Sequence, residues 1–372
     1  MKIGIIIACI VAAIILAAIF IGNYFVNFGL ARRKELSRHI KAEIPDHLLD
    51  EERFMERAED AAALNHMQAL LDVDKWKRSI SMEKVSVLSR DDLRLIGNLY
   101  GRGITPEGET VSKSVSEGET MPEGRLLNGT DSGRSGQPTK GPIDDFSGDT
   151  SGRRWVILIH GYQGKKEEME PFAMEYCKRG YRALCIDLRS HGESQGKFVG
   201  MGYLDGQDMR CWMEEIIRRD PDAAIVLHGH SMGGSTVVTA CGMEPPASLK
   251  AAVADCPFSS TLGMFKKQLK AWFGLPAFPV LHLARLMFRL RGGYPLKEAE
   301  AGRFACKIRT PILYIHGSED KFVPTEMSRR MYEDTQAPKE LCIIEGAAHV
   351  QSQDTDPERY YRTVFDFLER YV

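Results

Sequence analysis

Neither sign of charge predominates in this 372-residue chain: 49 Lys and Arg stand against 51 Asp and Glu, a net charge of −2. Neutralising a phosphate backbone takes a basic face, so nucleic acid is excluded as a main partner. Paired cysteines are also wanting. The eight cysteines, at 9, 177, 185, 211, 241, 256, 306 and 342, are scattered with no C-x-x-C among them. Most lie in apolar runs such as Ala183-Leu184-Cys185-Ile186, which reads as free buried thiols of a reducing compartment and not as a disulfide framework. No spacing of His or Cys suggests a metal. Gly200, Gly202 and Gly206 have the wrong spacing for a dinucleotide fingerprint and do not directly follow a strand. No cofactor is therefore expected.

What is present falls into stretches of different character. The length suits one large α/β domain with extras, or two smaller ones, each with a sizeable core. Residues 3–22 carry no charge, and the uncharged stretch continues to Ala31. Twenty helical residues at about 1.5 Å each span roughly 30 Å, the hydrocarbon thickness of a bilayer. A cleaved signal peptide has an apolar segment of only about 7 to 15 residues. The expectation is a transmembrane anchor over residues 1–30, with Asn23-Tyr24-Phe25 at its rim and the protein single-pass in the cell membrane. Lys2 precedes the run, whereas Arg32, Arg33, Lys34 and Arg38 follow it, which places the remainder on the cytoplasmic side. Residues 31–80 have apolar positions near helical spacing (Leu48, Leu49, Phe54, Ala58, Ala62, Leu64) and read as a helical connector.

Residues 81–372 read as one domain. Val85 to Leu88 and Leu93 to Tyr100, separated by Ser-Arg-Asp-Asp, predict a β-hairpin. Residues 103–153 turn to Gly, Ser, Thr, Pro and Glu with no apolar period, the pattern of a disordered loop insertion. The Asn128-Gly129-Thr130 sequon inside it reads as coincidence. Beyond it, apolar strands alternate with helical patterns, which implies a mostly parallel sheet with helices on both faces. The strand rhythm stops across residues 261–303, where Phe265, Leu269, Trp272, Phe273 and Phe278 interleave with Lys266, Lys267 and Lys270. That interval predicts a small helical cap, either lining an apolar substrate pocket or simply packed on the sheet.

The chemistry centres on Ile225-Val226-Leu227-His228-Gly229-His230-Ser231-Met232-Gly233-Gly234. In G-x-S-x-G a serine sits on a sharp strand-to-helix turn, and glycines at its flanks let the neighbouring chains pass closely. Ser231 is the candidate nucleophile, and the Met232 N–H at the following helix start is a candidate oxyanion donor. A serine hydroxyl needs a base, and the base an orienting carboxylate, in the chain order Ser, acid, His. Asp320 follows the Ile312 to Ile315 strand and His349 the Leu341 to Ile344 strand. Asp255, at another strand end, is the rival acid, and Glu319 a weaker one. The second oxyanion donor falls in His160-Gly161-Tyr162-Gln163-Gly164, at the Tyr162 N–H. His160 and His230 read as structural.

From about residue 85 to 372 the chain resembles an α/β-hydrolase. Besides the serine turn, Asp187-Leu188-Arg189-Ser190-His191-Gly192-Glu193-Ser194 resembles the family's D-x-R-x-H-G-x-S segment, and Asp320-Lys321-Phe322-Val323-Pro324 is similar to its D-x-x-V-P run. The nearest look-alikes are membrane-anchored bacterial serine hydrolases similar to the serine aminopeptidase and monoglyceride-lipase-like groups. Membership implies an eight-stranded, mostly parallel sheet, a cap after the sixth strand and hydrolysis through an acyl-enzyme. The first oxyanion loop departs from the H-G-G-G form of many lipases and esterases, so their substrates do not carry over. Dehalogenases and epoxide hydrolases of this fold place an aspartate where Ser231 stands. The expectation is a serine hydrolase cleaving esters of apolar or lipid-like substrates, with no cofactor. A serine peptidase on small peptides and a non-catalytic binding protein of the same fold are the alternatives.

Overall fold

The computed structural model describes residues 16, 19–27, 29–30, 61–101, 110–112 and 153–372. Most of the connector before residue 61 and of the insertion at 103–153, with its Asn128 sequon, lies outside the described residues.

The sheet opens with the antiparallel pair β1 (Met82–Leu88) and β2 (Arg94–Tyr100), in register from Met82↔Tyr100 to Leu88↔Arg94. The Ser89 hydroxyl accepts from Leu93 N–H, and Asp92 at φ 60° turns the chain between them. Then come β3 (Thr110–Ser112), β4 (Arg154–Ile159), β5 (Arg182–Ile186), β6 (Ala224–His230), β7 (Leu249–Asp255), β8 (Ile312–Gly317) and β9 (Lys339–Ile344). Their order across the sheet is β3-β1-β2-β5-β4-β6-β7-β8-β9. The β1–β2 and β2–β5 pairs are antiparallel and all others parallel. The eight longer strands make the expected α/β-hydrolase sheet; the short β3 is an addition that falls within the interval expected to be disordered.

Strand residues alternate between two cores, as a two-residue period requires. Trp155, Ile157 and Ile159 of β4 join one buried cluster with Met209 and Trp212 of α3 (Tyr203–Arg219) and Val237 and Val238 of α4 (Met232–Cys241). Val156 and Leu158 join the other, with Phe172 and Tyr176 of α2 (Glu170–Lys178) and Tyr360 and Val364 of α8 (Pro357–Leu368). Helices therefore cover both faces, which is why these strands read as unbroken apolar runs. On the second face, α1 (Ala61–Lys77) is tied to the body by a hydrogen bond from Asn65 Nδ2 to Asp354 O and an ion pair from Lys77 to Glu170.

The chain passes from β4 outward to β5, then back across β4 to β6. Loops diverge at such a reversal, and a crevice opens at the carboxyl ends of the strands. Two further helices stand at that end: α5 (Thr261–Phe273), started by the Ser260 hydroxyl accepting from Gly263 N–H, and α6 (Val280–Gly292). Lys267 of α5 donates to the carbonyls of Lys321 and Phe322, fastening α5 to the loop after β8. α7 (Glu326–Asp334) follows that loop.

The transmembrane anchor is overturned. No helix among the described residues is long and apolar enough to cross a membrane, and much of the run that suggested one, including residues 1–15, lies outside the described residues. Of the helical residues that are described, Val26 and Leu30 are buried in the first core, whereas Leu16, Ile19, Phe20 and Ile21 are exposed. Part of the apolar character read as lipid contact meets protein instead, Phe25 against Phe273 of α5 and Gly22 against Leu283 and Met287 of α6. The single-pass cell-membrane location falls with the span, and so does the cytoplasmic side inferred from its flanking charges.

Candidate active site

β6 ends at His230, and the chain turns at Ser231 (φ 55°, ψ −117°) directly into α4. A non-glycine residue held in such a conformation carries strain of about 1–3 kcal/mol. Ser231 N–H donates to Asp255 O at 2.9 Å and Ser231 O accepts from Ser235 N–H at 3.0 Å, so neighbours on both sides fix the turn. The two glycines of the motif are required by close approach. A Cβ on Gly233 would lie 2.1 Å from Ile159 O, and one on Gly229 would lie 2.5 Å from Gly233 O. Gly233→Ala is expected to cost about 2–3 kcal/mol, because it drives a methyl group into backbone that cannot retreat. A urea unfolding midpoint equal to wild type would contradict this.

His349 lies beyond β9 and Asp320 beyond β8, yet the structure brings both to Ser231. His349 Nε2 is 2.9 Å from Ser231 Oγ, and His349 Nδ1 is 2.6 Å from Asp320 Oδ2. A carboxylate can only accept, so Nδ1 carries the proton and Nε2 is left to accept from the serine hydroxyl. The Asp320 carboxylate is saturated with donors: Phe322 N–H and Val323 N–H reach Oδ1 at 3.0 and 2.8 Å, and His316 Nε2 reaches Oδ2 at 3.1 Å. Burial alone would raise its pKa, but the hydrogen bonds from His316 and His349 and the nearby imidazole outweigh it and hold the carboxyl well below the usual range. Asp320 therefore stays ionised and can steady an imidazolium. The Phe322 ring, 4.9 Å from that of His349, flanks the imidazole.

His316 escaped the sequence reading. Its Nδ1 faces Ser328 Oγ at 2.7 Å, while Nε2 faces the acceptors Asp320 Oδ2 and Val323 O. Nε2 is thus the protonated nitrogen, which makes His316 a clamp on the loop that carries Asp320. The one signal was its place at the end of β8, four residues before Asp320.

The loop after β4 lies beside Ser231: a Cβ on Gly161 would stand 3.4 Å from Ser231 Cβ. Gly161 O accepts from His160 Nδ1 at 2.7 Å and from Gly164 N–H at 3.2 Å. His160 Nε2 in turn accepts from Leu188 N–H at 3.1 Å, and burial lowers the pKa of this ring to about 3, so it stays neutral. In a trans peptide N–H and C=O point in opposite directions, so pinning Gly161 O turns the Tyr162 N–H the other way. Met232 opens α4, where a helix leaves its first N–H groups without an intrahelical acceptor. The Asp187–Ser194 segment supports this loop: Lys166 donates to Asp187 through both N–H and Nζ at 2.8 Å, and Gln163 N–H donates to His191 Nε2 at 3.2 Å.

The rival carboxylate Asp255 points elsewhere. Its Oδ2 accepts from the Tyr360 hydroxyl at 3.0 Å, and that hydroxyl also faces His228 Nε2 at 3.0 Å. Burial pushes the Asp255 carboxyl up to about 6. Glu319 is held by its backbone N–H to Ala347 O, and His230 is buried and neutral, its pKa lowered by burial to about 3. Asp255→Asn is expected to reduce turnover by far less than the ~10⁴-fold loss typical of a lost triad carboxylate. It should also alter stability with pH. A folded pKa above the unfolded value of about 4 means that folding retains a proton, so stability falls as pH rises from about 4 to about 6. The Asn variant should lack that decline in urea titrations between pH 4 and 8. Cys256, Asp320 and His349 offer ligand atoms within 4.8 Å of one another. Two of these atoms already share a proton, and burial pushes the Cys256 thiol well up, so proton and metal would compete for the same lone pairs.

A model of the serine aminopeptidase family, S33, matches residues 150–295. That stretch takes in the Tyr162 loop, the Asp187 segment and Ser231 but stops before Asp320 and His349. The chain is 29% identical over 215 residues to the uncharacterized protein YqkD of Bacillus subtilis, across 58% of this chain and 70% of that one. It is 26% identical over 223 residues to a monoacylglycerol lipase of Mycolicibacterium smegmatis, across 50% of this chain and 77% of the lipase. Among solved structures, the Pyrococcus furiosus esterase Pf2001 superimposes with a TM-score of 0.56 at 21% identity, over 79% of this chain and 92% of the esterase.

Proposed function

Because the chain belongs to the α/β-hydrolase superfamily, whose members here include a lipase and an esterase, we propose that this hydrolase is a serine enzyme cleaving carboxylic esters of apolar or lipid-like substrates. The supporting observation is the directed chain of two hydrogen bonds, Ser231 Oγ to His349 Nε2 at 2.9 Å and His349 Nδ1 to Asp320 Oδ2 at 2.6 Å.

In this reading Ser231 Oγ attacks the ester carbonyl as its proton passes to His349 Nε2. The ionised Asp320 stabilises the imidazolium and keeps the ring oriented. The N–H groups of Tyr162 and Met232 receive the charge that develops on the carbonyl oxygen. His349 then protonates the departing alcohol. Water, activated by the same imidazole, releases the acyl group from Ser231, and no cofactor takes part. The helices α5 and α6 serve as the cap, and their apolar residues accept the acyl chain. A lipid-like acyl group is favoured by that composition and by the mycobacterial monoacylglycerol lipase.

Cleavage of small peptides is the second reading, favoured by the serine aminopeptidase match. A panel of monoacylglycerols, p-nitrophenyl esters of rising chain length and aminoacyl amides tests the choice. Ester turnover that climbs with chain length is the expected result; amides turned over faster than matched esters would overturn it in favour of the peptidase.

A further inference from the structure

Residues 19–27 and 29–30 are helical and meet the cap and the serine site at several points. A Cβ on Gly22 would lie 2.7 Å from Met287 Cγ and 3.0 Å from Leu283 O, so this segment and α6 touch backbone to backbone. Arg291 of α6 donates to the side-chain oxygens of Asn23 and Asn27 at 3.0 and 2.8 Å. Phe25 meets Phe273 of α5 edge to face, with centroids 5.3 Å apart. At its end, Leu30 O accepts from Val199 N–H at 2.9 Å, and Gly29 O accepts from the Tyr162 hydroxyl at 2.8 Å. The last contact joins residues 133 positions apart.

Tyr162 is thus held at both ends. On one side the preceding carbonyl, Gly161 O, is pinned by His160 Nδ1 and Gly164 N–H; on the other the phenol is tied to Gly29 O. The neighbouring Gln163 sits at φ 60°, a strained conformation that the loop keeps only while its surroundings hold it. An oxyanion donor is effective when it already points at the place where charge will form, because no reorientation is then needed during the reaction.

We propose that Tyr162 is a positioning residue whose hydroxyl, through Gly29, fixes its own backbone N–H, and that residues 19–27 and 29–30 act as a strap completing the serine site. The inference rests on Ser231 as nucleophile and on the Tyr162 N–H as oxyanion donor. Through the Tyr162 hydroxyl the strap reaches the donor that stabilises the tetrahedral state, while Gly22 and Phe25 touch the cap helices that accept the acyl chain. Cutting only the Tyr162–Gly29 bond should therefore lower kcat and leave KM in place, whereas lifting the segment off α6 should lower kcat and raise KM as well.

The test uses the full chain. Tyr162→Phe removes one oxygen and keeps the ring packed; Gly22→Leu pushes the segment off α6 from a distance. Each is expected to lower kcat by roughly tenfold, the scale of a modest misplacement of a catalytic group; in Tyr162→Phe KM stays within about twofold, and in both variants the kcat loss persists well below the variant's own thermal unfolding midpoint. A trifluoromethyl ketone that mimics the tetrahedral state should lose affinity in the same proportion as kcat. Because both variants undo the same contact, the double variant should be no slower than the worse single one. Wild-type kcat in either single variant, a rise in KM in place of the kcat loss, or losses that multiply in the double variant would overturn the inference. A Ser231→Ala control that keeps turning over ester would instead sink the serine mechanism itself.

Discussion

Ser231→Ala is expected to lower kcat/KM for an ester by about 10⁴ to 10⁶ and to abolish labelling by a fluorophosphonate, the scale seen when a serine nucleophile is removed. Without Oγ no acyl-enzyme can form, and His349 Nε2, 2.9 Å from that oxygen, has no proton to take. What remains is the oxyanion site and substrate binding, enough for a small residual rate. The Ala variant should stay folded, because the strained turn at φ 55° is fixed by backbone hydrogen bonds to Asp255 O and from Ser235 N–H. Full labelling of the variant would place the nucleophile elsewhere.

Asp320→Asn is expected to lower kcat by about 10⁴ through the wrong histidine tautomer. The argument follows from the donor count. Oδ1 accepts from two backbone N–H groups, so the amide oxygen of asparagine would take that position. Its NH₂ would then face His316 Nε2 and His349 Nδ1, both protonated in the wild type. The clash is relieved if His349 moves its proton to Nε2, which leaves it unable to accept from Ser231. The loss should appear in kcat from pH 6 to 8, since the wild-type carboxyl stays ionised across that range and is protonated only in strong acid. A loss below tenfold would mean that Asp320 does not orient the base.

Much of the site was legible because its chemistry is local. Gly229, Ser231 and Gly233 specify a turn within five residues, and the strand before it and the helix after it show in the same window. The alternation of strands and helices announced a parallel sheet for the same reason. The choice of acid was legible only as a ranking: the sequence put Asp320 first and kept Asp255 as its rival, because both end strands. The structure separates them by direction, turning Asp255 into the core toward Tyr360 and Asp320 toward His349. His316 was missed because its partners, Ser328 and Val323, become neighbours only when the loop after β8 folds back.

By itself, then, the sequence determined which functional groups are available and the order in which strand ends present them, because backbone turns and strand periodicity are short-range properties. Only the tertiary structure decided which carboxylate meets the imidazole and where the apolar residues near the amino terminus find cover. Hydropathy measures how strongly a side chain leaves water, not what receives it. A bilayer and a protein core both take Val26 and Leu30 out of water, and the fold supplied the second.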